Sequence, residues 1–347
     1  MAHSKGFWGL SSVIITLGWC ASTPVLADDY VLGHGLDVGD FNIAGYSNIA
    51  LDDSFGQRKA LLIDDLSLFV AGHINRWINP FMEAELAGPP LIQSNGSGSG
   101  THGSIVLERL YNDILFTDDW TLRGGKMLTP VGEWNLIHAA PLVATSTRPI
   151  VTRHSFSEYT TGVSVLYSGA KALMPEVQVY WQPKGEFAAR ERSAVAREYD
   201  DTAGAHLNWP IGLNDKIGAS VQYSTIKRTG QTQVLSGLNG KYKFGNFTLE
   251  SEATFTSIDN PIGQSSRSTE YGGYILGSYA ITETISIFSW YELFQPRTSA
   301  ILSEDILVGA SWRPSPPLVW KVEYVGSVSG PSDINRTGYY ASFSVLF

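Results

Sequence analysis

The feature that most constrains this 347-residue sequence is an alternation of apolar and polar residues. It recurs in segments of about ten residues, each closed by Gly, Pro, Asn or Asp. A period of two places successive side chains on opposite faces of a β-strand. Beyond residue 27 no run approaches the roughly 18 apolar residues of a membrane-spanning helix. The alternation therefore predicts an all-β chain built from many strands.

Sixteen candidate strands follow from this alternation. They lie near residues 40–51, 61–74, 80–88, 104–115, 119–128, 158–168, 175–183, 201–209, 215–227, 231–243, 246–257, 269–280, 282–295, 302–313, 317–327 and 338–347. Phe247, Leu249 and Phe255 illustrate the apolar face, with Thr248 and Thr254 on the other face. Residues 105–116 do not sort cleanly, which predicts either a bulge or a strand packed on a neighbouring subunit.

The connections between these strands alternate between long and short. Residues 88–103, 129–157 and 183–200 form long segments, whereas 75–79 and 210–215 are brief. Alternating lengths give a meander two different ends, as in a transmembrane antiparallel β-barrel with long outer loops and short periplasmic turns. Five tryptophans lie at or near the short connections: Trp77, Trp120, Trp209, Trp312 and Trp320. This placement predicts a membrane-interface girdle, the alternative being ordinary core tryptophans.

The first 27 residues have the layout of a cleaved secretory signal peptide, with Lys5, an apolar stretch and a small residue, Ala27, at the cut. The chain then divides into a signal peptide, 1–27, and a barrel domain, 28–347. The barrel domain has 23 basic and 33 acidic residues, a net charge of −10, which argues against nucleic-acid binding. Cys20 is the sole cysteine, so no disulfide is expected after cleavage.

The C-terminal stretch "GYYASFSVLF" places Tyr339, Phe343, Val345 and Phe347 on one face. As the last strand of a closed barrel it would pair with the first strand, so neither edge stays free. A terminal Phe after alternating apolar residues resembles the sorting signal of Gram-negative outer-membrane proteins. The chain after Ala27 resembles a sixteen-stranded outer-membrane porin, normally a homotrimer. The stretch Leu122–Pro149 is similar to the phosphate-selective (O/P-type) porin group.

The porin resemblance implies that the third long loop, about Thr129–Ser157, folds into the barrel and narrows it. Charges in such a narrow passage act on every solute that crosses it. The loop and the strand before it supply the predicted constriction residues, which are Arg148, Arg153, His154, His138, Lys126, Arg123 and Glu133. Because Glu133 is the only acid among them, we expect a basic constriction that favours anions.

Four further points bear on this expectation. Arg148 and Arg153 could pair with pore-lining carboxylates and leave no net field; the candidates are Glu83, Glu85, Glu250 and Glu252. Lys241 and Lys243 share one face and are also expected to line the pore. Strict alternation places Arg123 and Lys126 on opposite faces, unless the chain kinks at Gly124-Gly125. Glu133 and Trp134 could anchor the loop rather than contact solute.

No enzymatic constellation is recognisable in the sequence. The seven histidines lack the spacing of a helical zinc motif, and the Gly-rich segment 95–103 lacks the Lys-Ser/Thr of a nucleotide-binding loop. We therefore expect no enzyme activity, cofactor or metal, and a passive water-filled channel. The expected partners are the outer-membrane bilayer, further copies of the chain, and small hydrophilic solutes or inorganic anions. An outer-membrane barrel hydrolase and a non-conducting structural or adhesive barrel remain alternatives.

Overall fold

The computed structural model describes residues 31–55, 59–88, 90–93, 103–137, 139–169, 173–183, 198–227, 229–259, 267–331, 334 and 336–347. The predicted signal peptide and His138, one of the predicted constriction residues, lie outside the described residues. The Gly-rich segment 95–103 does so as well, except for Gly103.

Within these ranges the chain forms strands and two short helices. In chain order they are β1 (Leu36–Val38), β2 (Phe41–Ser54), β3 (Ala60–Gly72), β4 (Asn79–Ala87), β5 (Pro90–Gln93), β6 (Ser104–Leu115), β7 (Trp120–Leu128), α1 (Trp134–Ile137), α2 (Ile150–His154), β8 (Tyr159–Ser168), β9 (Glu176–Gln182), β10 (Tyr199–Pro210), β11 (Lys216–Ile226), β12 (Thr232–Phe244), β13 (Phe247–Ile258), β14 (Thr269–Ala280), β15 (Ile285–Gln295), β16 (Ser303–Ser315), β17 (Leu318–Ser329) and β18 (Gly338–Leu346). Among the described residues, no helix has the length and apolar character needed to cross a membrane.

The sixteen long strands, β2–β4 and β6–β18, form one closed antiparallel barrel. Each long strand pairs with the next, and β18 returns to β2, where Phe343 lies opposite Ile49. Gly45 and Phe347 exchange backbone hydrogen bonds of 2.8 and 2.9 Å beyond the last paired residues. The short β1 and β5 pair with the ends of β2 and β3. The predicted sixteen-stranded barrel and its closure by the C-terminal strand are therefore confirmed.

The two faces of the wall differ as the alternation predicts. In β13, Phe247, Leu249 and Phe255 are exposed on the outside, whereas Thr254 and Thr256 are buried against the interior. All five tryptophans assigned to the girdle lie near the short turns, and each side chain is about half exposed, between 46% and 53%. An outer wall of large apolar side chains, with a girdle of tryptophans near the short turns, suits contact with lipid.

The wall departs from strict pairing at two places. In β6 Arg109 pairs with Glu83 while Leu107 pairs with Ala84, so Glu108 is an extra residue. This is the bulge that the unsorted segment 105–116 predicts. In β3 Asp64 is extra between the pairs Asn48–Asp65 and Ile49–Ile63. The strand predicted at 40–51 extends further than expected, because β2 continues to Ser54, whose partner is Gly338.

The loop between β7 and β8 folds into the barrel, as expected. Its apolar side chains meet an apolar patch on the inner wall, which explains why this long connection leaves the solvent. Trp134 and Val151 from the loop pack there against Trp290 and its neighbours, with the Trp134 and Trp290 ring centroids 6.3 Å apart. The wall residues of this patch lie on β14–β17: Tyr274, Leu276, Phe288, Trp290, Leu307 and Val325. This packing holds the loop against one side of the lumen.

Candidate functional site

Three glutamates on the inner wall hold the backbone of the inward loop. Glu252 Oε1 accepts the N–H groups of Glu133 and Trp134, at 2.8 and 2.5 Å. The other two glutamates contact the second half of the loop in the same way. Glu323 accepts the N–H groups of Ser146 and Thr147 at 2.8 and 2.6 Å, and Glu292 accepts that of Ile150 at 2.7 Å. Bonds to a charged acceptor are stronger than neutral ones, so these carboxylates fix the loop.

Two cations on the wall bind the carbonyl groups between those anchor points. Lys321 Nζ donates to the carbonyls of Ala140 and Thr145, at 2.6 and 3.1 Å. A guanidinium nitrogen of Arg313 donates to the carbonyl of Pro141 at 2.6 Å. The irregular backbone of the loop cannot satisfy these groups itself, so the wall supplies the partners that secondary structure would otherwise provide.

Arg336, which lies just before β18, joins the wall to the same loop. Its guanidinium pairs with Glu292 and with Asp305, the latter at 2.9 Å, and donates to the carbonyl of Arg148. Burial lowers the pKa of Arg336, but the carboxylates of Glu292 and Asp305 outweigh it and raise that pKa above its usual value. Arg336 therefore stays cationic and joins the loop to β15 and β16.

The space left beside the loop is a charged cavity of about 490 Å³. Arg148 and Arg153 line it from the loop side. The facing wall is acidic, with Asp52, Asp64, Asp65, Glu85 and Glu108 contributed by β2, β3, β4 and β6. Arg148 and Arg153 of the loop therefore face a cluster of carboxylates across the cavity.

The two loop arginines differ in how they are bound. Arg148 donates to Glu158, to Asn135 Oδ1 at 2.6 Å and to Thr152 Oγ1 at 3.0 Å. Within the described part of the chain, Arg153 has neither a hydrogen bond nor an ion pair within 4 Å. Burial, together with the positive charges of Arg336 and Arg148, lowers the pKa of Arg153 to about 10. Arg153 is thus cationic at neutral pH, and its side chain lines the cavity.

The structure places the other predicted constriction residues away from this cavity. Lys126 is buried, donates to the carbonyl of Leu107 at 2.9 Å and lies 4.3 Å from the Tyr159 ring centroid. Arg123 binds both carboxylate oxygens of Asp113 at 2.8 Å. Gly125, which lies between these two residues, adopts φ +135°. This local kink lets the side chains of Arg123 and Lys126 both reach buried or half-buried partners.

His154 and Glu133 also belong to the attachment of the loop rather than to the charged cavity. His154 is buried, with its ring centroid 5.5 Å from that of Phe294. Glu133 pairs with Lys216. Of the predicted basic residues that the structure describes, it therefore brings only Arg148 and Arg153 together at the cavity.

The alternative, in which the loop arginines pair with four wall glutamates, is not observed. Arg148 pairs with Glu158, and neither arginine forms an ion pair with Glu83, Glu85, Glu250 or Glu252 in the described part of the chain. Glu83 is fully buried and pairs with Arg109. Glu250 pairs with Lys241 at 2.7 Å, and Glu85 accepts a hydrogen bond from Ser67 Oγ at 3.2 Å.

Lys243 contributes little to the interior. It is exposed at the end of β12, beside the short turn, and its backbone N–H donates to Asp215 at 2.7 Å. The residues predicted to share one face of the C-terminal strand lie at the barrel seam. There Tyr339, Phe343 and Val345 of β18 pair with Asp53, Ile49 and Ser47 of β2.

Sequence reasoning placed Glu85 at the pore lining, where it lines the cavity, but missed Arg336 and the other acids of the facing wall: Asp52, Asp64, Asp65 and Glu108. Arg336 lies 188 residues from Arg148, so no local pattern connects them. Asp64 and Asp65 are adjacent, and strict alternation would send one of them to the lipid. The bulge at Asp64 lets that carboxylate accept a hydrogen bond from Asn48 Nδ2 at 3.0 Å. An aspartate pair interrupting an alternating strand was the available signal for that bulge.

A serine and a histidine also meet inside the barrel. His206 Nδ1 lies 2.9 Å from Ser220 Oγ, and both residues are buried. The backbone N–H of Gly132 in the loop points at the same hydroxyl, at 3.3 Å. The pair therefore lies beneath the loop. In the described ranges, no group of three or more His, Cys, Asp or Glu side chains is arranged to hold a metal ion.

Comparisons with known proteins address the fold. No protein-family model matches the chain, and no curated protein does. OmpT of Vibrio cholerae, an outer membrane protein in its trimer form, is similar over 90% of this chain and 100% of that chain, with TM-score 0.64 and 11% identity. Salmonella typhi OmpF in complex with daunomycin covers 88% and 97%, with TM-score 0.64 and 11% identity. An anion-selective porin from Comamonas acidovorans covers 88% and 98%, with TM-score 0.57 and 12% identity. With its closed barrel and inward loop, this chain has the fold of the sixteen-stranded outer-membrane porins.

Proposed function

We propose that the protein forms a passive, water-filled channel in the bacterial outer membrane for small hydrophilic solutes and ions. The observation that carries this proposal is the inward loop, which is fixed to one side of the lumen and leaves a charged cavity beside it. The apolar outer wall and its tryptophans suit a bilayer. The signal peptide expected at residues 1–27 would deliver the chain across the inner membrane.

The test of this proposal is a liposome-swelling assay with neutral sugars of increasing size. We expect swelling rates to fall steeply with solute size, because the loop narrows the passage. Uptake that does not depend on size would contradict a constriction at the loop. Liposomes that do not swell, from barrels that migrate as folded protein on gels, would favour the structural or adhesive alternative.

Ion preference follows from the two sides of the cavity. Arg153 supports a preference for anions, because its guanidinium has no ion-pair partner within 4 Å in the described part of the chain and faces the cavity. The carboxylates on the opposite wall, among them Asp52, Asp64 and Glu108, act against it. We therefore propose that the anion preference is weak and depends on Arg153. The resemblance to phosphate-selective porins stays a prediction, which phosphate block of the current would test.

The assembly we propose is a homotrimer, in line with the OmpT trimer among the similar structures. The outer face of β3, β6 and β8 supports it, because the exposed large apolar residues there are all aliphatic: Leu66, Leu68, Ile105, Leu107, Leu110, Leu115, Val163 and Val165. The outer face from β9 to β17 carries exposed aromatic rings among its aliphatic residues, such as Trp181 and Tyr271, whereas the only exposed aromatic of the described strands β3 to β8 is Trp120 of the girdle. Aliphatic packing suits a protein neighbour, and mass measurement of the detergent complex would give the copy number.

A hydrolase is the second candidate function, because Ser220 and His206 are in contact. A general base within hydrogen-bond reach of a hydroxyl is the minimum requirement for a nucleophile. Against it, Ser220 is buried and already faces the N–H of Gly132. We propose that the protein has no enzymatic activity. An esterase or protease activity that is lost in Ser220→Ala would overturn this.

A further inference from the structure

A second cavity, of about 220 Å³, lies between the inward loop and the wall, towards the short turns. Its position follows from the wall residues that line it. Ser278 and Ser286 lie on either side of the turn between β14 and β15, and Ser311 and Val319 on either side of the next one. The cavity therefore lies at the short-turn end of the lumen.

The charges that line this cavity balance. Three carboxylates and three basic groups contribute to its surface, and they are Glu133, Glu250, Glu252, Lys241, Arg313 and Lys321. A further carboxylate, Glu323, lies beside Lys321 on the same face of β17. The cavity therefore attracts neither anions nor cations by a net charge.

Each of these six charged groups is also already bound to a group of the protein. Lys241 and Glu250 neutralise each other in an ion pair of 2.7 Å, and Glu133 pairs with Lys216. The other three bind backbone N–H or carbonyl groups of the inward loop, as described above. A charged solute would lose hydration in this cavity without gaining an ionic partner, so the lining favours a neutral solute.

The groups that still have bonding capacity are three serine hydroxyls on adjacent strands. They belong to Ser278 on β14, Ser286 on β15 and Ser311 on β16, and Ser286 and Ser311 are directly opposite each other. In the described part of the chain, none of the three hydroxyls makes a hydrogen bond. Each can donate one hydrogen bond and accept two, so the wall offers a row of uncharged donors and acceptors.

The loop side of the cavity is aliphatic. Ile137, Leu142 and Val143 line it, and Leu142 is 59% exposed although it lies inside the lumen. An exposed leucine in a water-filled interior costs free energy unless something covers it. A row of hydroxyls that faces an aliphatic surface matches a ring with hydroxyl groups at its edge and C–H groups on its face.

We propose that this cavity is a binding subsite for neutral cyclic polyols, the chemistry of an uncharged hexose. The C–H face of the ring lies against Leu142, and its hydroxyl groups exchange hydrogen bonds with Ser278, Ser286 and Ser311. The inference rests on the proposed pore, and it names a class of solute that is held at the short-turn end. The contacts are few and open to water, so the binding is weak, with a dissociation constant in the millimolar range.

Saturation-transfer difference NMR on the full chain tests the subsite, with glucose as the probe. The barrel is folded in an amine-oxide detergent, so that no sugar headgroup competes with the probe. Glucuronate and protonated glucosamine keep the ring but carry a negative and a positive charge, so both should bind several-fold more weakly than glucose. Glycerol keeps hydroxyl groups but lacks the ring face, and it should also bind more weakly.

Two variants address the two sides of the cavity separately. The double variant Ser286→Ala/Ser311→Ala should lose about tenfold in glucose affinity, since it removes two neutral hydrogen bonds. Leu142→Asn should lose several-fold, because it removes the aliphatic surface, and the exposure of Leu142 makes a loss of folding unexpected. Ser224→Ala is the control, because Ser224 faces the interior on β11 and lines neither cavity.

The outcomes separate the subsite from the pore. Absence of saturable glucose binding, or wild-type affinity in both the double serine variant and Leu142→Asn, would overturn the subsite. Equal affinities for glucose, glucuronate and glucosamine would overturn the preference for a neutral solute. The NMR measurement does not require conduction, so ohmic current steps without glucose binding would refute the subsite alone. Glucose binding by a barrel that passes no current would support the subsite and refute the pore.

Discussion

Glu323 on β17 and Thr147 in the inward loop are joined by a 2.6 Å hydrogen bond from the backbone N–H to Oε1. The other oxygen of the same carboxylate accepts the N–H of Ser146. One wall side chain therefore fixes two consecutive peptide groups of the segment that narrows the barrel. The position of the constriction thus depends on a carboxylate that contacts no solute in our account.

We predict that Glu323→Gln loosens the loop. Glutamine keeps one acceptor oxygen but turns an NH₂ donor towards a backbone donor, so one charge-assisted hydrogen bond is lost. Such bonds contribute about 1.5–3 kcal/mol each, and the folded barrel should be destabilised by about that amount. Single-channel recording should show larger open-channel noise than the wild type. Glu176→Gln, near a short turn, is the control, and equal noise in Glu323→Gln and this control would contradict the prediction.

Arg153→Glu should shift ion preference towards cations. The change places a negative charge where the guanidinium faces the cavity, across from a wall that is already acidic. We expect the potassium-to-chloride permeability ratio to rise several-fold in a salt gradient. Arg76→Glu makes the same charge change in an exposed turn outside the lumen, so it should leave the ratio near that of the wild type. If both variants give the wild-type ratio, Arg153 does not face the passage.

The anion share of the current should fall as the pH rises through about 10. Burial and two neighbouring arginines lower the pKa of Arg153 to about 10, so this group is cationic at neutral pH and loses its charge above that value. The measurement is the reversal potential in a salt gradient between about pH 8 and 11. Lysines titrate in the same range, so Arg153→Gln is measured in parallel. A titration of equal size in both proteins would refute the assignment.

An arginine substituted on the outer wall should destabilise the folded barrel by an amount that depends on its depth in the bilayer. Val322, 57% exposed, lies in the central part of β17, and Val328, 67% exposed, lies near its loop end. Arginine costs about 2–4 kcal/mol at the bilayer midplane and about 0–1 near an interface. Urea unfolding in lipid vesicles should therefore give a larger loss for Val322→Arg than for Val328→Arg. Equal losses would argue that this wall does not face lipid.

The sequence was sufficient for the strand count and the barrel closure, since the alternation of β13 directly reflects lipid on one side and water on the other. It was not sufficient for the constriction. Glu252 has the period of a pore-lining residue, yet it binds the N–H groups of Glu133 and Trp134. Backbone donors leave no pattern in a sequence, so the attachment of the loop could not be read in advance.

The local pairing of Arg148 illustrates the same limit. Its partner Glu158 lies just beyond the loop, next to β8, whereas the sequence pointed to carboxylates on distant strands. Which acid an arginine reaches depends on how the loop folds back, and that is set by the packing of Trp134 and Val151 on the inner wall. The bulges at Glu108 and Asp64 also change which side chains face the lumen, because each breaks the alternation by one residue.

Planar-bilayer conductance of the refolded protein under a potassium chloride gradient tests the central claim most directly. Our account predicts discrete ohmic current steps with a small reversal potential on the anion side. Steps with a strong cation preference would keep the pore and contradict the role given to Arg153. Complete absence of steps, from a barrel shown by gel mobility to be folded, would contradict the channel itself.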